Sequence, residues 1–550
     1  MRRVLQWSMS LLALAPARAL AQRAAATEEQ VPALRVDPRL IAEAAEVWAV
    51  IAAPTNPVWP RWDASTTPIL FYLPGEQDVL INHPRPPRGF VPYRGPVRFP
   101  GGAIAVGGRP TILAADGQNT SRDIEGVPTL VVADALSNLR QQIRGLLADP
   151  RPNLEKAQAL GYSQLATDPY SQLMLIAHEA FHVFQSRVAP AKGANEMLLT
   201  HYPVLSVGNN VGFAREGAAL AAALRADSGP AFRAAVIRWF ALRQQRRSRL
   251  PAEAVEYEDG VEFSEGLAKY AEYRLLEALQ GRRPSTEMWW IQGFHGYGDL
   301  APLRSALVDQ MLQHMRGDVL VNNDPYGTAP LRMRLYFSGM AVAAVLDRLS
   351  PTWKTRVLEP RTSLTNLVAE AVAPGPDDLR RAVEEARREP DYEALVTAKT
   401  RLAEAGRARI DSVLTQIERG EGTGIIVEYG ALATPRVGLA FTPFGITVVD
   451  SSRTIYTQVP IVARFPDGSE VAQTAAAPLL HDTNAKIIRF RLPRELSDEE
   501  VSRALNRGTR AGEGPSALRI ELPGVRVSAP SASIQQVGRD LRIVLTSPRQ

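Results

Sequence analysis

Residues 168–186 read Asp168-Pro-Tyr-Ser-Gln-Leu-Met-Leu-Ile-Ala-His178-Glu179-Ala-Phe-His182-Val-Phe-Gln-Ser186. Asp168 can cap the free N–H groups of a helix start and Pro169 suits a first helical turn, so the stretch predicts a helix from Pro169 to Ser186. His178 and His182 are four residues apart, about one turn, and both imidazoles project from one face where a single metal ion can take them. Glu179 lies beside them, placed to take a proton from water activated by that ion. With 7 His among 550 residues, such a His-Glu-x-x-His string arises by chance roughly 0.005 times per chain, so coincidence is a poor account of it. Ala180, Phe181, Val183 and Phe184 make the surroundings apolar, and two histidines and a glutamate are costly to bury there without a metal. The expected ion is zinc (Zn2+), with Glu179 as general base.

Catalytic zinc needs three protein ligands and one open position. The chain has no cysteine, so the third ligand must be His or a carboxylate. Two glutamates compete. Glu265 lies in Phe263-Ser-Glu-Gly-Leu-Ala-Lys-Tyr-Ala-Glu-Tyr273, and Glu216 in Ala214-Arg-Glu-Gly-Ala-Ala-Leu-Ala-Ala-Ala-Leu224; both open apolar helical segments. The one that is not a ligand is expected behind the ligands or on a solvated face. A developing oxyanion also needs a donor opposite the metal. Tyr336, in Arg334-Leu-Tyr-Phe-Ser-Gly339, is the first candidate, although a tyrosine leading an apolar helix is more commonly core. His295 and Tyr297, in the loop Gly293-Phe-His-Gly-Tyr-Gly298, are the others. His83, His201, His314 and His481 lack metal spacing and are expected to be structural or exposed.

The string His-Glu-Ala-Phe-His followed by Ser264-Glu-Gly-Leu-Ala-Lys-Tyr-Ala-Glu-Tyr273 resembles the gluzincin metallopeptidases, in particular the aminopeptidase-like members. Their third ligand is the Glu of a Trp-Leu-x-Glu-Gly-x-Ala-x-Tyr-x-Glu helix. The resemblance implies a zincin-like catalytic domain with Glu265 as ligand, Gly266 allowing close helix approach, and Tyr270 and Glu272 at the following motif positions. It covers about fifty residues. The sequence departs from the pattern by Glu262-Phe263 in place of Trp-Leu and by a longer spacer. Glu216 instead resembles the spacing of clostridial-toxin-like gluzincins without their motif. The Gly-x-Met-Glu-Asn strand that holds a substrate amine in the aminopeptidases has no counterpart ahead of His178. The nearest string, Gly193-Ala-Asn-Glu-Met197, is scrambled and follows the motif, so endopeptidase action on a peptide or protein is the expectation.

Around this centre the chain predicts an α+β protein. Arg2 and Arg3, the apolar run Val4 to Ala15 and Ala19-Leu-Ala21 have the layout of a secretory signal peptide over residues 1–21, followed by a linker at 22–35. An exported, bacterial periplasmic or secreted protein follows, in which Asn119-Thr-Ser121 is not a glycosylation site. No stretch reaches the roughly 18 apolar residues of a membrane span. Lys+Arg number 63 against 58 Asp+Glu, and loss of Arg2, Arg3 and Arg18 with the leader nearly balances them, so nucleic acid is not an implied partner.

The catalytic domain is expected over 36–420, β-rich at 60–132 and helical at 134–419. Its elements include a helix from Pro38 to Ile51, strands Ile69–Leu73, Asp78–Ile81 and Val127–Val132, and helices Asp134–Leu147, Phe213–Ala226, Phe232–Ser248, Val255–Gln280 and Tyr392–Arg419. The basic run Arg243–Arg249 reads as a solvated helix end. From 425 to 550, alternation such as Ile488, Phe490 and Leu492 against Arg489 and Arg491 predicts a β-sandwich-like module, an accessory for substrate or surface binding. Two other functions remain open: a non-catalytic extracytoplasmic binding protein with a relic zinc site, and a hydrolase of another amide or ester. Oligomeric state is not legible.

Overall fold

The computed structural model describes residues 33–73, 76–100, 102–107, 120–133, 168–321, 327–440, 445–457, 461–475, 477–508 and 516–547. The leader expected at 1–21, most of the linker expected at 22–35 and the helix expected at Asp134–Leu147 lie outside the described residues. The fold is mixed α/β, with a sheet near the N-terminus and a C-terminal β half-barrel. It divides into two compact units, Met1–Phe184 with Arg274–Asp299, and Gln185–Tyr273 with Leu300–Gln550.

In the first unit, α1 (Pro38–Ile51) starts where expected. The Asp37 carboxylate accepts from Arg39 N at 2.9 Å, and Leu40, Ile41, Ala44, Val47, Trp48 and Ile51 are buried. Among the described residues six strands follow: β1 (Ile69–Leu73), β2 (Gln77–Ile81), β3 (Phe90–Pro92), β4 (Ile104–Gly107), β5 (Thr120–Ile124) and β6 (Val127–Ala133). They form one sheet in the order β3-β4-β2-β1-β6-β5, parallel between β1 and β6 and antiparallel elsewhere. The central strand β1, Ile-Leu-Phe-Tyr-Leu, is a continuous apolar run because it is buried on both faces.

Helix α2 (Pro169–Val188) begins in the first unit and ends in the second. In the second unit come α3 (Val207–Arg225), α4 (Pro230–Arg247), α5 (Ala252–Val261), a π-helical turn at Glu262–Gly266, and α6 (Leu267–Leu279), whose last turns return to the first unit. There follow α7 (Ala301–Arg316), α8 (Thr328–Leu349), α9 (Leu364–Val372), α10 (Pro376–Arg387) and α11 (Tyr392–Arg419). Leu331, Leu335, Phe337, Met340, Val342 and Leu346 bury α8 on all sides, which makes it the core helix of this unit. The single helix expected from Val255 to Gln280 is thus interrupted at Glu262 by the π turn.

The C-terminal strands are β7 (Gly424–Glu428), β8 (Gly438–Ala440), β9 (Ile446–Val448), β10 (Arg453–Tyr456), β11 (Ile461–Arg464), β12 (Glu470–Gln473), β13 (Leu479–Asp482) and β14 (Ile487–Arg491). After α12 (Asp498–Gly508) come β15 (Ser516–Leu522), β16 (Val525–Val537) and β17 (Asp540–Leu545). The expected sandwich is not formed: among the described residues these eleven strands make one hydrogen-bonded sheet. The reason is β16. Its first residues pair with β12 (Val525↔Gln473) and its last with β17 (Val537↔Asp540), so one 13-residue strand joins what would otherwise be two sheets. The predicted alternation holds on one face, where Ile488, Phe490 and Leu492 are buried. Arg491, expected outside, is buried too, donating to the carbonyls of Gly422 and Glu418 and to Asp540.

Candidate metal centre

The cap read from Asp168 is present: its carboxylate accepts from Tyr170 N at 3.3 Å, Ser171 N at 3.1 Å and Ser171 Oγ at 2.6 Å. Two turns on, the His178 and His182 rings lie 4.8 Å apart, centroid to centroid, and nearly perpendicular. Another part of the α2 surface carries Phe181 and Phe184, packed on Trp59 and Trp62 with centroids 5.1–6.4 Å apart. Trp59, Trp62 and Phe181 are each at most 1% exposed, so the roll of the helix about its axis is fixed by this aromatic core. His178 is buried, and Glu179 and His182 are partly exposed.

Glu265 is carried by the π turn, a wide turn of a kind often found at functional sites. Five contacts hold that turn. Gln185, in the last turn of α2, donates Nε2–H to Phe263 O at 2.7 Å. Lys192 Nζ sits 4.6 Å over the Phe263 ring while donating to the carbonyls of Val357, Glu359 and Thr362. Arg243 clamps Glu262 through two bonds of 2.7 and 2.8 Å, and Ser338 Oγ donates to the same carboxylate. Gly266 meets Gly339 of α8 backbone to backbone, the close approach expected of that glycine.

Among the described residues, one group of side chains offers three candidate ligand atoms together: those of His178, His182 and Glu265 lie within 4.8 Å of one another. Helix α2 runs on to Val188. Its last turn, through Gln185, is bonded to the π turn itself. His182 lies three residues before that anchor.

Glu216, the alternative ligand, has another role. It is fully buried, accepting from Arg243 Nε at 3.0 Å and from Arg246 Nε at 2.5 Å, so two guanidinium groups occupy its carboxylate. The basic run is likewise not a solvated helix end. Arg243 and Arg246 are 0% and 5% exposed, and with Arg247 they bond Glu216, Glu258, Asp259 and Glu262, three cations against four anions. Burial alone would lower the arginine pKa values, but the facing carboxylates outweigh it and raise them. For Glu258 burial acts upward and is overcome by Arg246 and Arg247, which hold the carboxyl well below its usual range. Asp, Glu and Arg in an amphipathic pattern read as surface; only the tertiary fold shows that they face one another.

Tyr336 lies on α8 beside Glu265, to which its side chain is hydrogen-bonded, and burial followed by that carboxylate pushes its phenol up. Arg332, four residues earlier, donates Nε–H to Tyr336 Oη at 3.3 Å and Nη2–H to Glu265 Oε1 at 2.7 Å. Its other end donates to Glu196, whose second oxygen accepts from Tyr257 Oη at 3.2 Å. Sequence reasoning did not find Arg332, Glu196 or Tyr257. The one available signal was the i, i+4 spacing of Arg332 and Tyr336, which puts both on one helix face.

The other oxyanion candidates lie in the first unit. Tyr170 Oη donates to Gly296 O at 2.8 Å and accepts from His295 N at 3.0 Å, tying the loop to the first turn of α2. His295 is exposed, and Tyr297 is 1% exposed and packed on Phe294. Neither belongs to the three-residue group. His83 Nε2 meets Ile124 O, His314 stacks on Phe337, His481 Nε2 bonds Tyr429 Oη and His201 is exposed, as expected of histidines outside a metal site.

No protein-family model, curated protein or solved structure matches the chain.

Proposed function

We propose that the chain is a zinc-dependent metallopeptidase in which His178, His182 and Glu265 hold the ion. The observation that carries this reading is the grouping of those three side chains, whose donor atoms lie within 4.8 Å of one another. The donor set fits zinc: two imidazoles and a carboxylate leave a fourth position open. These three side chains would hold the ion, and zinc binds imidazole nitrogen and carboxylate oxygen at about 2.0–2.2 Å.

Bound zinc would supply Lewis acidity, polarising the scissile carbonyl and making water acidic near neutral pH. Glu179, the residue after His178, takes the proton from that water and delivers it to the leaving amine. Tyr336, whose O–H is given to Glu265, would have to turn from that carboxylate to donate to the oxygen on which negative charge develops. The substrate is an internal peptide bond of a peptide or protein, met outside the cytoplasm, with the β half-barrel as accessory surface. Among the described residues no helix is long and apolar enough to cross a membrane.

The test is Glu179→Gln assayed on a peptide library with products read by mass spectrometry. Loss of cleavage with zinc retained supports the reading; unchanged cleavage by Glu179→Gln overturns it.

A further inference from the structure

Arg332 is 7% exposed and stands between two carboxylates, with one terminal nitrogen on Glu196 and the other on Glu265 Oε1 at 2.7 Å. Tyr257, itself buried, anchors Glu196 from behind, so the chain Tyr257, Glu196, Arg332, Glu265 is a continuous hydrogen-bonded line ending on a metal-ligand candidate. A guanidinium is planar and always charged, and its fork holds two partners at fixed angles. A carboxylate oxygen fixed in this way has given one lone pair to the guanidinium, which favours coordination of an ion through the other oxygen.

We propose that Arg332 is a positioning residue that fixes Glu265 as a one-oxygen metal ligand, with Glu196 and Tyr257 holding the arginine in place. The inference rests on the metal site proposed above. The carboxylate charge is shared between Arg332 on one side and the ion on the other. Partners behind a metal ligand orient it, and losing them commonly costs 10- to 100-fold in metal affinity. A coordination number of four is thereby enforced from the protein side, keeping a position open for water.

The test is zinc affinity by chelator competition, and the visible spectrum of the Co2+-substituted protein, for wild type, Arg332→Lys, Arg332→Gln and Glu196→Gln. Wild type is expected to give the intense bands of four-coordinate Co2+. Arg332→Gln is expected to bind zinc about 10- to 100-fold more weakly, with weaker cobalt bands as Glu265 turns to bind through both oxygens. Arg332→Lys should restore part of the affinity through its charge but not the four-coordinate spectrum, because an ammonium lacks the fork. Glu196→Gln leaves both the arginine and the Glu265 bond, and covers the case in which Arg332→Gln does not fold; it is expected to lower affinity severalfold. Unchanged affinity and spectrum in folded Arg332→Lys and Glu196→Gln would overturn the inference while leaving the metal site standing. A wild-type protein that binds neither ion overturns both.

Discussion

Gly266 and Gly339 touch without side chains: a Cβ added to either would lie 2.7 Å from the other's Cα. This contact brings the π turn that carries Glu265 against α8, which carries Arg332 and Tyr336. Replacing either glycine by alanine must push two backbones apart. Gly266→Ala and Gly339→Ala are expected to lose about 1–3 kcal/mol, the usual cost of overpacking, and to weaken zinc binding as Glu265 is displaced. Urea denaturation and chelator competition measure the two effects separately.

The two competing glutamates should separate by what they damage. Glu216→Gln leaves Arg243 and Arg246 partly unpaired in the interior, and breaking such a buried pair costs roughly 3–5 kcal/mol. Zinc affinity of the surviving folded fraction should be near wild type. Glu265→Gln should do the reverse, abolishing tight zinc binding with a smaller effect on the unfolding midpoint. Equal loss of zinc in both variants would contradict this assignment.

Truncation of Phe181 tests how α2 is held. Its ring is fully buried against Trp59 and Trp62, so Phe181→Ala opens a cavity and is expected to cost about 3–5 kcal/mol. Because Phe181 lies between Glu179 and His182 along α2, hydrolysis should fall as well. Thermal melting and a peptide assay at a temperature where the variant stays folded would show both.

Acid should destabilise the metal-free fold before the carboxylates titrate. Burial, helped by Arg334 and Lys269, pushes His314 down to about 4. Burial also pushes His481 down to about 4, with Lys486 acting the same way and Asp482 opposing. Unfolded histidine titrates near 6.5, so between that value and about 4 the unfolded chain binds more protons and stability falls as pH falls. Melting temperatures of chelator-treated protein should drop from pH 7 to pH 5, and His481→Gln should flatten part of the slope. A flat profile in wild type would contradict the burial of these rings.

Local pattern made much of the fold readable. Pro38–Ile51, Ile69–Leu73 and Tyr392–Arg419 occupy the spans their composition and periodicity predict. The π turn was not readable, because Val255–Gln280 keeps helical composition throughout and the interruption comes from partners far along the chain: Gln185 on Phe263, Arg243 on Glu262, Arg332 on Glu265. The buried ion network escaped for the same reason, since a charge run carries no sign of burial until opposite charges from α3, α5 and the π turn are brought to it. A single sheet in place of a sandwich depended on β16 changing partners midway, which alternation alone does not reveal. At the candidate centre, His178, Glu179 and His182 were visible because their spacing matches one helix turn, whereas Arg332 and Glu196 act across 136 residues.

The central claim is that His178, His182 and Glu265 share one ion. Metal content after exhaustive dialysis against zinc-free buffer, for wild type and Glu265→Gln prepared with zinc, tests it most directly. The account predicts one zinc per wild-type chain and essentially none in the variant; wild type without zinc, or Glu265→Gln with a full equivalent, would contradict it.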